Sequence, residues 1–310
     1  MLQVVAGGFT LDDTVLLDDR VVRNAAGGNV LYAGVGTSLA GVQPALLSPV
    51  GRDYPQQNLD KLAAAGFVMD GCPRLPAPAL HLWALQEGPN RRQLVNWLDS
   101  GTNEQLDPRP GHIPDHYLQA ESLHVAGIPV DSQEALVDTF AAARRVISVD
   151  APHLPLDRSG RRQLERMLAS VSVFLPSEDE VGEVWNLEAG LDSCRRLATL
   201  GPEVVGIKIG DAGSLVWSRE MQQGWRVPTY QTHSIDTTGA GDAFCGAFCA
   251  TYSRTRDARA AAVSGTVAAS FVIEGFGGLH ALDTPSSAVE RRFDDVNQRV
   301  EVLSAVRGEA

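Results

Sequence analysis

The sequence predicts an α/β protein in which helices cover both faces of a mostly parallel central sheet. Along its 310 residues, short apolar runs alternate with helix-like stretches, and only a few residues separate one element from the next. This alternation is typical of a parallel sheet, because parallel strands need a crossover connection that is usually a helix. The hydrophobic content of 44% and the charged content of 21% are ordinary for a globular chain.

Six short apolar runs predict buried strands, and the amphipathic stretches between them predict helices. The strands are LQVVA (2–6), ALLSPVG (45–51), SLHVAG (122–127), VISVD (146–150), VSVFL (171–175) and EVVGIKIG (203–210). The helices lie near 29–40, 54–65, 131–145, 159–169, 178–186 and 190–199. The last third of the chain predicts three more helices, at 241–252, 257–274 and about 285–305. Ligands of such folds sit beyond the carboxyl ends of the strands.

Two segments depart from this alternation. TVLLDDRVV (14–22) is short and strand-like, and residues 79–97 predict a hairpin around Gly88-Pro89-Asn90. Extra strands outside a parallel sheet form an appendage, and beside a ligand cleft such an appendage can close as a lid.

The charge balance excludes some classes of partner. The chain has 26 Lys and Arg residues against 38 Asp and Glu residues, a formal net charge of −12. Nonspecific binding to nucleic acid or to an anionic membrane is therefore disfavoured. Any anionic ligand must be held by a local device: a helix N-terminus, backbone N–H groups or a metal ion.

Neither the cysteines nor the N-terminus indicates a special compartment. The four cysteines form no CxxC pair and have no metal-ligand spacing with histidines. The N-terminus lacks a basic region ahead of an apolar run, and no apolar run approaches the roughly 20 residues of a membrane span. A small-molecule substrate and a cytoplasmic location are expected.

Three glycine-rich segments are candidates for a ligand site: GGFTLDD (7–13), GGNVLYAGVG (27–36) and TTGAGDAF (237–244). None is a Walker A loop, because Lys61 and Lys208 are followed by Leu and Ile rather than by Ser or Thr. None is a dinucleotide-binding G-x-G-x-x-G motif either, since Leu39 and Phe244 stand where its third glycine is required.

TTGAGDAF has the pattern of an anion site. Its glycines permit a tight turn of N–H groups, and the apolar stretch after it predicts a helix whose N-terminus attracts negative charge. Asp242 lies in the first turn of that helix, where it either caps the helix or accepts a proton from a hydroxyl held beside the anion. From these residues alone both interpretations stay open.

The order of these motifs resembles that of the PfkB, or ribokinase-like, carbohydrate and nucleoside kinases. G-x-x-x-x-D begins at Gly7, GGN begins at Gly27, and DTTGAGDAF (236–244) is similar to the second signature of that family. VGRD (50–53), HVAG (124–127), SVD (148–150), LPSEDE (175–180) and KIGDAG (208–213) fall in family order between them. The resemblance implies one three-layer α/β/α kinase domain over 1–310, with a small β lid from about 14–22 and 79–97.

The resemblance implies which residues would catalyse phosphoryl transfer and which cofactors they would use. Asp242 would be the catalytic base, and Gly239, Ala240 and Gly241 would form the anion hole for the transferred phosphoryl group. ATP and Mg²⁺ would be the cofactors, which suits an acidic chain. The metal-associated Asn-x-x-Glu motif of the family maps onto Ser177 through Glu180, so Glu180 would hold Mg²⁺ through water.

The resemblance also implies an acceptor site. The substrate-binding acid would be Asp12 when counted from Gly7, or Asp13 when counted from Gly8, and Asp12 is preferred. Gly27, Gly28 and Asn29 would lie along the same site. Tyr32 replaces a second asparagine of ribokinase-type members, and it would either stack on the ligand or fill the pocket, which disfavours ribose.

The nucleotide site would follow the sixth strand. The resemblance places the phosphates beside four residues of KIGDAG and beside Ser177, and the adenine beside 263–278. A monovalent cation such as K⁺ is a further candidate ligand, at Asp236. The phosphate-lining residues would be Lys208, Gly210, Asp211 and Gly213.

Several functions remain open from the sequence. The leading hypothesis is ATP-dependent phosphorylation of a sugar or polyol hydroxymethyl group, and a nucleoside acceptor, with Trp83 or Trp97 stacking on its base, is the runner-up. A phosphofructokinase-type reaction would need Arg91 and Arg92 for a second phosphate. A degenerate, ligand-binding member of the fold is the nonenzymatic alternative. Either a monomer or a homodimer is compatible with the sequence.

Overall fold

The computed structural model describes residues 1–16, 20–88, 91–141 and 145–303. Within these ranges it confirms the predicted α/β class: a ten-stranded central sheet with helices on both faces, and a separate four-stranded sheet. None of the described helices combines the length and the hydropathy that a membrane span requires.

The described strands and helices are as follows. The strands are β1 (Leu2–Ala6), β2 (Thr10–Val15), β3 (Val21–Gly27), β4 (Gln43–Leu47), β5 (Val68–Gly71), β6 (Leu80–Gly88), β7 (Arg91–Asn96), β8 (Ser122–Val125), β9 (Val146–Val149), β10 (Val173–Phe174), β11 (Val204–Lys208), β12 (Ser214–Ser218), β13 (Gln223–Val227) and β14 (Glu301–Leu303). The helices are α1 (Asn29–Leu39), α2 (Gln56–Ala64), α3 (Asn103–Leu106), α4 (Val130–Ala141), α5 (Arg158–Met167), α6 (Glu178–Trp185), α7 (Leu191–Ala198), α8 (Ala240–Thr255), α9 (Ala258–Val272) and α10 (Ser286–Gln298).

The central sheet is parallel over most of its width. Its strand order is β14-β13-β12-β11-β10-β9-β8-β1-β4-β5. The strands from β11 to β5 pair in parallel, whereas β12, β13 and β14 add an antiparallel edge. Since parallel strands all end at the same edge, the loops after β1, β4, β8, β9, β10 and β11 meet there.

Successive side chains of the buried strands point into two hydrophobic cores, one on each face of the central sheet. This explains why these strands are almost entirely apolar. In β1, Val5 packs with α1, α8 and α9, while Val4 packs on the other face with α4, α5 and α7. Val4 and Val5 are both fully buried, as expected for a sheet covered on both faces. The molecule therefore has the predicted three layers.

The small sheet has the strand order β3-β2-β6-β7. Here one sequence prediction was wrong. Residues 14–22 do not form one strand; they contain the end of β2 and the start of β3, and the N–H of Leu16 donates to the carbonyl of Arg20 between them. Asp12 and Asp13 do not follow β1 at the central sheet but lie inside β2, because the chain leaves β1 at Gly7 and enters the small sheet by Thr10.

The last predicted helix also required correction. Residues 285–305 were expected to be helical, but α10 ends at Gln298 and residues 301–303 form β14. These residues pair with β13, which would otherwise present unpaired backbone groups at the edge of the sheet. The short strands β5, β12 and β13 were not predicted. The predicted helix at 131–145 is α4 up to Ala141, and its positions 142–144 lie outside the described residues.

Helices α1 and α8 pack so closely that parts of their backbones are in direct contact. A Cβ atom on Gly246 would overlap the carbonyl of Ala33, and one on Gly36 would overlap the carbonyl of Ala243. Gly246 also accepts, at its carbonyl oxygen, a hydrogen bond of 3.0 Å from the buried side chain of Gln3. This close approach requires glycine at both positions.

We predict that Gly246→Ala lowers the free energy of unfolding by about 3 kcal/mol, because the added methyl group separates two packed helices. Gly182→Ala is the matched control: Gly182 is also inside a helix, but its added Cβ would meet no atom closer than 3.9 Å. That control is expected to stabilise the protein by about 0.5 to 1 kcal/mol through helix propensity. Denaturant unfolding measures both, and equal effects of the two changes would contradict the packing argument.

Candidate active site

The loops at the carboxyl edge of the central sheet bring together most of the residues predicted from the sequence. The start of α1 faces the first residues after β1, and the start of α8 lies beside the end of β11. Two helix N-termini therefore open toward this edge of the sheet. Each N-terminus presents N–H groups that have no carbonyl partner within its own helix.

The Gly-Ala-Gly turn forms the N-terminus of α8. Gly239 is the N-cap and has a φ of +77°, a conformation that favours glycine. A Cβ atom there would overlap the ring of Tyr32, which is 3% exposed. The sequence left open whether Tyr32 stacks on a ligand or fills the pocket, and its burial against the turn fits the second alternative.

Asp242 lies in the first turn of α8, as predicted, and is partly exposed. Burial raises the pKa values of two neighbours, Asp150 and Cys245, and the charge of Asp242 adds to both shifts. A carboxylate in this position also interacts favourably with the positive end of the helix dipole.

Lys208, the last residue of β11, reaches the same turn. Its Nζ atom lies 2.8 and 2.7 Å from the two carboxylate oxygens of Asp150, and 3.4 Å from the sulfur of Cys245. A Cβ atom on Gly241 would stand 3.6 Å from the same nitrogen. An ammonium group thus lies directly against the turn that the sequence marked as an anion site.

The protonation of this group follows from its partner. Burial alone would lower the pKa of Lys208, but the carboxylate of Asp150 raises it well above its usual value. The nearby His124 has the opposite fate: burial, and then the charge of Lys208, lower its pKa to about 3, so it is neutral at physiological pH. Of these two side chains, Lys208 is therefore the charged one and His124 the neutral one.

Ser177 and Glu180 form a capping box at the start of α6. The N–H of Ser177 donates to Glu180 Oε2 at 2.6 Å, and the N–H of Glu180 donates to Ser177 Oγ at 3.3 Å. The spacing S-x-x-E is itself the sequence signature of this cap, which the comparison with an Asn-x-x-Glu motif overlooked. Glu180 lies near the site: the pKa of Asp150 is raised by burial and, in addition, by the charge of Glu180.

The loop after β11 is a tight turn built on two glycines. Gly210 and Gly213 have φ values of +50° and +91°, and a short 3₁₀ turn spans residues 210–212. The N–H of Ile209 closes the loop by donating to Gly213 O at 2.8 Å. The carbonyl of Asp211 accepts from the hydroxyl of Thr229 at 3.1 Å, so this loop is tied to the segment that follows β13.

At the start of α1, Asn29 ties this helix to the loops that follow β1 and β8. Its Oδ1 accepts from the N–H of Gly8 at 2.8 Å, and its Nδ2 donates to the carbonyl of Gly127 at 2.8 Å. Gly28 is the N-cap, with a φ of +98° and no space for a side chain against Gly8 and Phe9. The prediction that Asn29 lies along the substrate site stays a prediction, and its amide joins the two loops.

Asp12 and Asp13 face opposite ways, as successive residues of a strand do. The Asp12 carboxylate lies over Gly27, where a Cβ atom would overlap it. Asp13 is 1% exposed; it accepts from the N–H of Asn24 at 2.7 Å and from Arg23 at 3.2 Å, and its Oδ1 lies 3.5 Å from Nε2 of His81. Only Asp12 therefore shares a face of the small sheet with the predicted acceptor-site glycines.

Trp83 and Trp97 lie on the face of the small sheet that carries Asp13, opposite to Asp12. Trp83 pairs with Asp13 in the register of β2 and β6, and it stacks on Trp97 with 5.6 Å between ring centroids. Trp97 in turn stacks on His81 at 4.1 Å. These rings point away from Asp12, so a base that Asp12 approaches cannot stack on them. The side chains of Arg91 and Arg92 lie outside the described part of the chain.

The remaining prediction concerns cations. Asp236 is 6% exposed, and its Oδ1 accepts from the N–H and the hydroxyl of Thr238 at 3.0 and 2.7 Å. Among the described residues no group of three or more His, Cys, Asp or Glu side chains could by itself hold a metal ion. Magnesium usually binds through one or two carboxylates, waters and substrate phosphates, and Glu180 beside an anion turn fits that chemistry.

Comparisons with known proteins agree with this geometry. A family model described as pfkB family carbohydrate kinase matches residues 6–285. A cytidine kinase from Thermococcus kodakarensis is 28% identical over 255 residues, which cover 82% of this chain and 89% of that protein. A putative ribokinase II from E. coli, solved with ATP and Mg²⁺, superposes with a TM-score of 0.77 at 20% identity and covers 95% of this chain and 99% of its own.

A third comparison concerns a nucleoside-type ligand. An aminoimidazole riboside kinase from Salmonella enterica, solved with aminoimidazole riboside and an ATP analogue, superposes with a TM-score of 0.73 at 17% identity. It covers 94% of this chain and 99% of its own. The fold of the chain is therefore ribokinase-like, as the resemblance implied.

We predict that Gly239→Ala abolishes binding at the anion turn, because the methyl group would push Tyr32 and the turn apart. The matched control is Gly66→Ala: Gly66 also has a positive φ, +88°, but nothing lies within 4 Å of its added Cβ. Both changes carry the backbone cost of about 1 to 2 kcal/mol for a left-handed residue. Calorimetry with an ATP analogue should show lost affinity only for Gly239→Ala, and equal binding by both variants would contradict the prediction.

Proposed function

Because the chain belongs to the pfkB family of carbohydrate kinases, and is thus a phosphotransferase acting on a hydroxyl group of a sugar or nucleoside, we propose that it transfers the γ-phosphoryl group of ATP to a hydroxymethyl group. The observation that carries this proposal is the glycine turn at the N-terminus of α8, with Asp242 in its first turn and Lys208 against it. The whole chain acts as one kinase domain, and the small sheet is its lid.

Asp242 is the proposed catalytic base. As a carboxylate at the mouth of the anion turn, it accepts the proton of the acceptor hydroxyl as that oxygen attacks the γ-phosphorus. The family resemblance assigns the same role, and the partial exposure of Asp242 leaves it accessible to an acceptor. Phosphoryl transfer depends mainly on positioning and charge stabilisation, so one well-placed base suffices.

The transferred group would be received by the turn of Gly239, Ala240 and Gly241. Backbone N–H groups and the dipole of α8 supply partial positive charge, and Lys208 supplies a full charge next to them. The loop of Gly210, Asp211 and Gly213 would hold the preceding phosphates. Glu180 would hold Mg²⁺ through water, and the bound ion would supply charge neutralisation of the phosphates.

The acceptor would be held by Asp12 and by the backbone of Gly27 and Gly28. Asp12 supports this role because its carboxylate lies over Gly27, beside the proposed acceptor site. The carboxylate of Asp13 lies on the other face of the small sheet, with Arg23 and His81. We therefore assign Asp13 to the stability of the small sheet. A monovalent cation at Asp236 remains a prediction.

A nucleoside is the acceptor that we favour over a free sugar. The cytidine kinase aligns over 82% of this chain and 89% of its own length. The sequence alone favoured a sugar, and neither Tyr32 nor the tryptophan pair provides a surface for a base on the Asp12 side. The choice therefore rests on the relative.

We predict that Asp242→Asn lowers kcat roughly 100- to 10,000-fold, because the amide cannot accept the proton. Its melting temperature should remain close to that of the unmodified protein, since the side chain is partly exposed. ADP release in the presence of Mg-ATP measures turnover. A variant with normal turnover would contradict the assignment of the base.

We predict that the acceptor carboxylate is Asp12. Asp12→Asn should raise the KM of the acceptor about 10- to 100-fold, the effect of losing a hydrogen bond to a charged group. Asp13→Asn, its matched control in the same strand, should lower the melting temperature while leaving this KM nearly unchanged. The reverse pattern would select Asp13.

We predict that cytidine or another nucleoside releases ADP faster than ribose, fructose or fructose 6-phosphate does when all are tested at the same concentration. Turnover of sugars alone would replace the nucleoside by a sugar within the same chemistry. Binding of ATP without turnover of any acceptor would favour the nonenzymatic alternative.

A further inference from the structure

We propose that Asp150 is a positioning residue for phosphoryl transfer, because its two-pronged contact with Lys208 holds the ammonium group against the turn at the start of α8. This inference rests on the proposed function, which places the transferred phosphoryl group at that turn. Asp150 follows β9, and the sequence marked it only as part of a family landmark.

The geometry of the pair fixes the lysine head in one place. Both carboxylate oxygens of Asp150 accept from Nζ, at 2.8 and 2.7 Å. The Lys208 side chain is 14% exposed and that of Asp150 is 8% exposed. A lysine has a flexible four-carbon stem, so without such a partner its charge would not stay at a defined point.

Asp150 itself is held firmly. Its N–H donates to Val125 O at 3.0 Å, and its Oδ1 accepts from the N–H of Ala151 at 2.9 Å. Its carbonyl oxygen accepts from the fully buried side chain of Gln133 at 3.1 Å. Strand β8, helix α4 and the next residue of its own loop therefore determine where Asp150 lies, and through it where the Lys208 ammonium lies.

The third hydrogen-bond donor of the ammonium group is the one available to a phosphate. Two of its N–H donors are used by Asp150, and its other hydrogen-bond contact within the described residues is the sulfur of Cys245 at 3.4 Å. A thiol sulfur is a weak acceptor. A phosphoryl oxygen above Gly241 would be a much stronger one, and the Gly241 position lies only 3.6 Å from Nζ when measured to an added Cβ.

A purely structural ion pair would show the same distances, so the test must separate stability from catalysis. Removing one partner of a buried pair leaves an uncompensated charge, whereas removing both does not. Asp150→Asn should therefore lower the melting temperature, and the double variant Asp150→Asn with Lys208→Met should recover most of it. Activity should behave differently.

For turnover we expect Lys208→Met to lower kcat roughly 100- to 1000-fold, as the loss of an oxyanion donor does. Asp150→Asn should lower kcat about 10- to 100-fold, a smaller loss because the ammonium remains but is no longer held in place. It should leave the acceptor KM unchanged. The double variant should have the kcat of Lys208→Met alone, since Asp150 acts only through the lysine.

Glu165→Gln is the control for removing a carboxylate outside the site. Glu165 accepts from Arg161 at 2.9 Å and from the Trp185 indole at 3.0 Å, and it lies in α5. Its loss should affect the melting temperature without changing kcat.

Two results would overturn the inference: a kcat within about threefold of normal for Asp150→Asn, or a further loss of the same factor when Asp150→Asn is added to Lys208→Met. If Asp150→Asn alone does not fold, the comparison of the double variant with Lys208→Met still decides. Calorimetry with a nonhydrolysable ATP analogue separates this from the proposed function. Unmodified protein that neither binds the analogue nor releases ADP contradicts the function itself, whereas normal binding and turnover of Asp150→Asn contradict only its positioning role.

Discussion

The contact between α1 and α8 is the constraint on which the site depends. The first helix begins at Gly28, beside the proposed acceptor site, and the second begins at the anion turn. Gly36 and Gly246 bring the two backbones together, and Tyr32 packs its ring against Gly239. The separation of the proposed acceptor site from the proposed anion turn is therefore set by backbone contact, which varies much less than a contact between long side chains.

Electrostatics explain why the anion site has its particular composition. A chain of net charge −12 cannot attract a triphosphate through its overall field. The positive potential must be local, and it comes from the N-terminus of α8 and from Lys208. The Asp150 carboxylate keeps that lysine charged within a buried setting. Acids and a cation thus act together: the carboxylates of Asp150 and Asp242 border the site, and the Lys208 ammonium lies against the turn.

The fold class and the donor side were predictable, because they depend on local patterns. Residues 2–6 form β1 as expected, and the glycine turn with Asp242 is where the sequence placed it. The acceptor side was harder: Asp12 lies within a strand of the small sheet, and only the register shows that its neighbour Asp13 faces away. Asp150 could not be found from spacing, since it meets Lys208 across 58 positions of sequence. The edge strand β14 forms only because β13 offers it a partner.

The central claim is that the transferred phosphoryl group is received at the N-terminus of α8. A crystal structure with ADP, Mg²⁺, aluminium fluoride and the acceptor tests it most directly, because the fluoride group mimics phosphorus in transit. The account predicts fluoride atoms about 3 Å from the backbone N–H groups of the 239–241 turn and from Lys208 Nζ, with the acceptor oxygen beside the Asp242 carboxylate. A fluoride group bound away from this turn, or an acceptor oxygen remote from Asp242, would contradict it.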